Sequence, residues 1–496
     1  MVWANFLHIY QPADQYKDII EAVVKQSYRP LLTSLKANPH AKINLNINAS
    51  LTELLDKYGF HDILDLMREL GANGQIEFTG SAKFHAFLPL TPEKEIYRQI
   101  KINYDTNRYF LGEGYKPVGF FPPEMGYKPG LEKIIEELGY KWLLIDEIAK
   151  DGNVGTVDYS KTYKIKGSNV FAFFRERRLS NTIMAAVPRS GDTLFEGMKH
   201  EIRSGNYIIT AMDGETFGHH RPGLEKLMSD ILASKAYRLV GISELIGLYP
   251  NVEEISPVAS NWASSKQDID SNIQFLSWSD PANEIHTMQW DFLHFVLNKV
   301  HALDESVSGY SEIRADMDKC IASDHYWWAS AKPWWGLDMI TEAAYKLLSV
   351  LKRIPDVTQE EVNKGQDFCE KIVTTALDWQ RSGKIRDMAS QQNGVLRIPF
   401  KERTLETSGK ENVYLAFIDM IRQLEKKAAE VGEYEKAILW RDAYYKLENK
   451  SDVYDAINAI DLVRVELGNE KVEEVIKSYE GKYKEIRGGQ PEQRGS

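Results

Sequence analysis

The chain has 496 residues, and 61 Lys and Arg stand against 72 Asp and Glu for a net charge of −11. An apolar share of 43% with 27% charged residues excludes a disordered, collagen-like or disulfide-stapled protein and describes a globular one with a sizeable core. The acidic balance, with no basic stripe against it, excludes a nucleic-acid partner, because phosphate binding needs a local surplus of Lys and Arg.

Cys320 and Cys369 are the only cysteines, too few for a disulfide framework or a zinc knuckle. No stretch approaches the roughly 18 consecutive apolar residues that span a bilayer. The start, Met1 to His8, lacks a basic n-region and an Ala-x-Ala cleavage site. A cytoplasmic protein without membrane contact is expected.

Val2–Ile9 is apolar and β-prone, and Gln15–Ala37 carries a helical period. Lys42–Ile47 alternates like a strand, Leu51–Leu70 is helical in two pieces broken at Gly59, and Ile76–Thr79 is a short strand. Pro92–Leu111 has Pro at a first helical turn with Glu behind it. Val118–Phe121, Lys141–Ile145, Val170–Phe174, Tyr207–Ala211 and Arg238–Gly241 continue the strand series, with a helix at Pro129–Leu138. Seven or eight strands alternating with helices predict a parallel sheet of βα units. No Gly-x-Gly-x-x-Gly follows a strand, so closure into a barrel is expected over an open dinucleotide-binding sheet.

From about Ser256 the character changes. Trp262 to Trp290 is irregular and aromatic, while Asp338–Arg353 and Glu360–Ser382 have helical spacing. Tyr414, Phe417, Ile421, Leu424 and Ala428 fall on one helix face, Gly432 breaks it, and Tyr434–Leu447 returns as a second helix. There is no internal repeat of fixed period. The Gly- and Gln-rich tail 488–496 is expected to be disordered.

In such barrels chemistry sits at the C-terminal ends of strands. Four segments there are rich in polar groups: His8-Ile9-Tyr10-Gln11-Pro12, Gln75-Ile76-Glu77-Phe78-Thr79, Phe120-Phe121-Pro122-Pro123-Glu124, and Met212-Asp213-Gly214-Glu215 running on to His219-His220. Taken singly each has a plain reading. Glu77 is a salt-bridged strand acid, Glu124 a solvated loop acid, Asp213-Gly214 a turn, and His219-His220 a surface pair or metal ligands. Together they aim several carboxylates into one mouth, where burial and repulsion push pKa values apart and make one carboxyl an acid and its neighbour a nucleophile.

In order and separation these segments resemble the first four conserved regions of glycoside hydrolase family 57. The resemblance runs from His8 to about Trp335 and implies an incomplete (β/α)7 TIM-like barrel followed by a mostly helical C-terminal region. It further implies a retaining enzyme of α-amylase, 4-α-glucanotransferase or branching type, acting on an α-glucan or oligosaccharide without cofactor or metal. Glu124 matches the family's nucleophile and Asp213 its general acid/base. His8, Gln11 and Pro12 match the first region, Glu77 the second, and Glu215 with Phe217-Gly218 the stretch after the catalytic Asp. Ser323 to Trp328 looks like the fifth region, with Asp324 and Trp327 as sugar contacts, and one of Trp334 or Trp335 is taken as a second sugar platform. Tyr10 stands where many members have a second His, Phe121 where a Trp is usual, and His219-His220-Arg221-Pro222 replaces a Trp-bearing stretch. An altered subsite lined by Tyr10, Phe121 and His219 is expected. Double displacement would set the two carboxyls roughly 5–5.5 Å apart.

The chain is divided on this basis into a catalytic barrel (1–255), a helical domain completing the site (256–385), a helical extension (386–487) and the tail. Within the extension, 421–450 weakly resembles a UVR motif through Ala428, Ala429, Tyr434, Glu435, Ala437, Arg441, Asp442 and Leu447, which would make it a protein-contact hairpin; a plain helical hairpin is the favoured reading. Two other functions compete. One is a metal-dependent carbohydrate deacetylase or α-mannosidase-like enzyme, using an Asp with two of His8, His85, His219 and His220. The other is a catalytically silent glycan-binding or scaffold protein.

Overall fold

The computed structural model describes residues 1–186, 188–198, 205–332, 334–391 and 411–449, with short pieces between 459 and 479. Its sheet contains β1 (Val2–Ile9), β2 (Ile43–Ile47), β3 (Ile76–Gly80), β4 (Gly119–Phe120), β5 (Trp142–Asp146), β6 (Thr162–Ile165), β7 (Phe171–Arg175), β8 (Tyr207–Asp213), β9 (Arg238–Leu239) and β10 (Val252–Ile255). Seven strands run in the order β8-β1-β2-β3-β4-β5-β7, each parallel to its neighbour. Among the described residues no ladder joins β7 to β8. The gap is bridged by the Glu176 amide donating to the Ile209 carbonyl and the Arg175 Nε donating to the Ala211 carbonyl, both at 2.8 Å. The fold is therefore an incomplete (β/α)7 barrel followed by helices.

The strands are buried on both faces, as a barrel wall covered by helices requires: seven of the eight β1 residues are buried. The short β6, antiparallel to β7, and β10, parallel to β6, extend the sheet beyond the seven. Neither was expected from sequence. Val-Glu-Glu-Ile in β10 is largely exposed and carries almost no apolar pattern, and Thr-Tyr-Lys-Ile in β6 sits among turn residues. Their pairing depends on edges that only the fold supplies.

The N-terminal end of the barrel is plugged. Strand β9 pairs with Val2 and Trp3, and the helix Ile242–Leu248 that follows points its first turn inward. There the Ile242 amide donates to Asn44 Oδ1 at 2.7 Å, and Ser243 donates to Glu77 from its amide at 3.1 Å and its hydroxyl at 2.6 Å.

The expected single helix over Gln15–Ala37 is three pieces: Lys17–Val23, a π-turn at Val24–Tyr28, and Arg29–Ala37. Pro30 accounts for the break. It has no N–H for the Gln26 carbonyl and its ring crowds that carbonyl, so the Arg29 amide bonds back five residues to Val24.

Helices Glu284–His301, Tyr310–Lys319, Leu337–Arg353 and Gln359–Ser382 pack on one side of the barrel. A single apolar core joins Phe87, Ile96 and Ile145 to Trp278, Phe292, Leu347 and Trp379. A buried ionic cluster spans the same junction: Glu95 binds Arg314 and lies 2.6 Å from His301 Nε2, while Asp318 binds Arg98 at 2.7 Å and Arg314 at 2.8 Å. Cys320 and Cys369 are free and buried. Farther on, Phe417, Ile421, Leu424 and Ala428 of helix Glu411–Glu430 pack on Trp440, Ala443 and Leu447 of helix Tyr434–Asn449, with Gly432 at φ +79° in the turn. The tail 488–496 lies outside the described residues. Among those residues no helix is long and apolar enough to cross a membrane.

Candidate active site

Because the seven strands are parallel, their C-terminal ends share one mouth. His8 is the penultimate residue of β1, Asn46 lies in β2, His85 follows β3, Glu124 follows β4, Asp146 ends β5, Arg175 ends β7 and Asp213 ends β8. His8 and Asp213 are register partners on adjacent strands.

Glu124 is held in an unusual way. Its φ of 61° and ψ of 15° are left-handed, and Met125 beside it has φ 51°. Non-glycine residues rarely sit there, and such strain persists only where the surroundings enforce it. Pro122 and Pro123 stiffen the approach, and the Trp262 indole N–H donates to Glu124 Oε2 at 2.7 Å. The other oxygen, Oε1, lies 3.9 Å from His85 Nδ1. Burial, then the charge of Asp213, pushes the Glu124 carboxyl up to about 8 against the pull of the Trp262 bond.

Asp213 is the last residue of β8. Burial raises it to about 6, with the Arg175 guanidinium pulling the other way. Arg175 is fixed by Asp146 at 3.0 Å and Asn181 at 2.6 Å, and Asp146 also binds Arg177. Glu215 is buried, accepts from the Tyr28 hydroxyl and the Tyr10 amide, and is raised to about 8 by burial and then by Asp213. Two of the three carboxyls thus feel Asp213 as a neighbouring charge.

The aromatic floor is a stack. Tyr10 lies over His85 with centroids 4.2 Å apart, His85 over His8 at 5.0 Å, and His8 against Phe121 at 4.8 Å. His8 Nε2 and His85 Nε2 are 3.1 Å apart, so one ring donates to the other's lone pair, and burial holds both below the usual imidazole range. His8 Nδ1 meets Asn46 and His85 Nδ1 meets Ser323. The Tyr10 hydroxyl donates to Asp324 Oδ2 at 2.6 Å, tying the first barrel loop to the helical region.

Of the residues expected from sequence, His8, Tyr10, Glu124, Asp213, Glu215 and Asp324 are linked by these contacts. Gln11 lies against them, bonding Gln15 and the Tyr28 hydroxyl. Glu77 is corrected: it caps the plugging helix at the opposite end of the barrel, because the second residue of β3 is near the strand's start. Phe121 is corrected too: it is 0% exposed and supports His8 from beneath, with no face free for a ligand. His219 sits on the rim with Nδ1 2.6 Å from Gln26 Oε1. Trp327 and Trp334 stack at 4.5 Å and both are half-buried, whereas Trp335 packs on Trp379. Arg175 and Tyr28 are the site residues the sequence reading left out, while His85 entered it only as a candidate metal ligand. Of the histidines in the metal reading, His8, His85 and His219 have other partners, and among the described residues no three His, Cys, Asp or Glu side chains group as a metal would need.

Three buried carboxyls, Glu124, Asp213 and Glu215, thus meet at the mouth of an α/β barrel. The chain belongs to glycosyl hydrolase family 57, whose model matches residues 3–256. It is 25% identical over 260 residues to alpha-amylase 1 of Dictyoglomus thermophilum, covering 51% of this chain and 37% of that one. It is 28% identical over 141 residues to the 4-alpha-glucanotransferase of Thermococcus litoralis, covering 28% and 21%. The chain therefore spans well under half the length of these relatives. The GH57-type branching enzyme of Pyrococcus horikoshii has the same fold, with a TM-score of 0.57 at 15% identity over 76% of this chain and 96% of that one.

Proposed function

We propose that this chain is a retaining α-glucan hydrolase or transglycosylase in which Glu124 is the nucleophile and Asp213 the general acid/base. The observation that carries this reading is the strained, indole-clamped Glu124 within charge range of Asp213 at the common strand mouth. The relatives' names supply the α-glucan.

Glu124 attacks the anomeric carbon while protonated Asp213 donates to the leaving oxygen; water or a sugar hydroxyl, deprotonated by Asp213, then releases the glycosyl–enzyme. Burial raises both carboxyls, and the Asp213 charge raises Glu124 further. The Trp262 N–H favours the charge on Glu124, as the first step requires. Tyr10, Asp324 and His8 surround the sugar under attack, and Trp327 with Trp334 offers the sugar platform.

Incubation with maltoheptaose followed by chromatography tests the function. Shorter products alone mean hydrolysis, longer ones mean transfer, and binding without turnover would leave a glycan-binding protein. A slow 2-fluoroglycosyl fluoride should label Glu124; label on Asp213 would exchange the two roles.

A further inference from the structure

The π-turn at Val24–Tyr28 is not needed to build a barrel helix, and it lies beside the Asp213 loop with Val24, Ser27 and Tyr28 buried. Three consecutive residues of it reach that loop. Gln26 meets His219 through its side chain at 2.6 Å, and its carbonyl presses on Gly218, where a Cβ would lie 2.0 Å from the oxygen. The Ser27 hydroxyl donates to the Gly214 carbonyl at 2.9 Å, and the Tyr28 hydroxyl donates to Glu215 Oε1. On a regular α-helix three successive residues fan out by about 100° each and could not all face one loop. The wider turn rotates the chain less per residue. Pro30 enforces it by denying Gln26 its usual partner, and Gly218, at φ +111°, leaves room for the freed carbonyl.

We propose that this π-turn positions the acid/base loop and that Tyr28 is a positioning residue, fixing the orientation and charge of Glu215 next to Asp213. The proposal rests on the catalytic reading above. Glu215 faces Asp213 on its own segment, the Tyr28 hydroxyl with Gln11 behind it, and the Tyr10 amide; His219, His220 and Glu225 flank the same loop. The Tyr28 bond favours the ionised form of Glu215 against burial and the Asp213 charge. Without it Glu215 keeps its proton to higher pH and is free to turn toward Asp213.

Tyr28→Phe keeps the ring and removes the bond. On a turned-over glucan its kcat should fall roughly ten- to hundredfold with KM nearly unchanged, and the alkaline limb of the pH profile should move downward, because a Glu215 that keeps its proton no longer holds the Asp213 proton by its charge. Pro30→Ala, which allows a regular helix, should reproduce the kcat loss. Infrared titration of the protonated-carboxyl band, assigned with Glu215→Gln, should place Glu215 at higher pH in Tyr28→Phe than in the wild-type chain. That measurement needs no activity, so it decides the proposal even where the enzyme reading fails. Coincident Glu215 midpoints in the two proteins, or kcat and pH profile unmoved in Tyr28→Phe, would overturn it.

Discussion

The two carboxyls of the site are held by opposite means. Glu124 is gripped directly: its backbone is forced into the left-handed region, its carbonyl accepts the Trp262 amide at 3.2 Å, and its carboxylate accepts the Trp262 indole. Asp213 ends a regular strand with φ −65° and ψ 132°, and among the described residues no hydrogen bond ties its carboxylate. Its neighbours are anchored instead, Gly214 by Ser27 and Glu215 by Tyr28. The contrast follows from the chemistry proposed. A nucleophile must meet one carbon along one line, whereas an acid/base must serve first the leaving oxygen and then the incoming one.

The largest test removes each carboxyl. Glu124→Ala and Asp213→Ala should each lower turnover on the order of 10⁴-fold or more. Azide should then separate the roles: it replaces the lost nucleophile to give a glycosyl azide of inverted configuration, and intercepts the covalent intermediate of the Asp213 variant to give one of retained configuration. The same product from both variants would abolish the comparison.

A smaller effect should come from Trp262→Phe, which removes one charge-assisted bond worth about 1.5–3 kcal/mol and so should cost roughly ten- to hundredfold in kcat. Because that bond pulls the Glu124 carboxyl down, its loss should also shift the higher limb of the pH–rate profile upward. In the wild-type enzyme that profile should be a bell with limbs near 6 and 8. A profile flat across this range would show that these carboxyls do not carry the reaction.

The smallest effect is on stability, and its sign is fixed. Glu124 binds its proton more tightly folded than unfolded, so its contribution is fully favourable below the ordinary value of 4.5 and is lost as pH rises through about 8. Glu124→Gln should thus match the wild-type chain in urea unfolding at pH 4.5 and exceed it at pH 9 by roughly 1–3 kcal/mol. Equal stability at both pH values would mean that Glu124 is not desolvated as the geometry has it.

Much of the mouth was legible from the chain alone because a carboxylate at the end of an apolar strand is conspicuous. Glu124 and Asp213 stand out in that way, and so does His8. Glu77 misled for the same reason: alternation shows that a residue lies in a strand and leaves open which end of the barrel it occupies. Register settled that, through Asn44 opposite Glu77 and the helix that caps both. Tyr28 was hidden inside a run read as one helix, although Pro30 was in plain view.

Hydrophobic periodicity and turn residues are local properties, and they were enough to place eight of the ten strands along the chain and to predict a parallel sheet of βα units. What folding added is the clamp of Trp262 on Glu124 across 138 positions, the pairing of His8 with His85, the reach of Tyr28 to Glu215 and the joining of barrel and helices in one core. Those contacts depend on how distant segments pack, and no short window of sequence contains both partners.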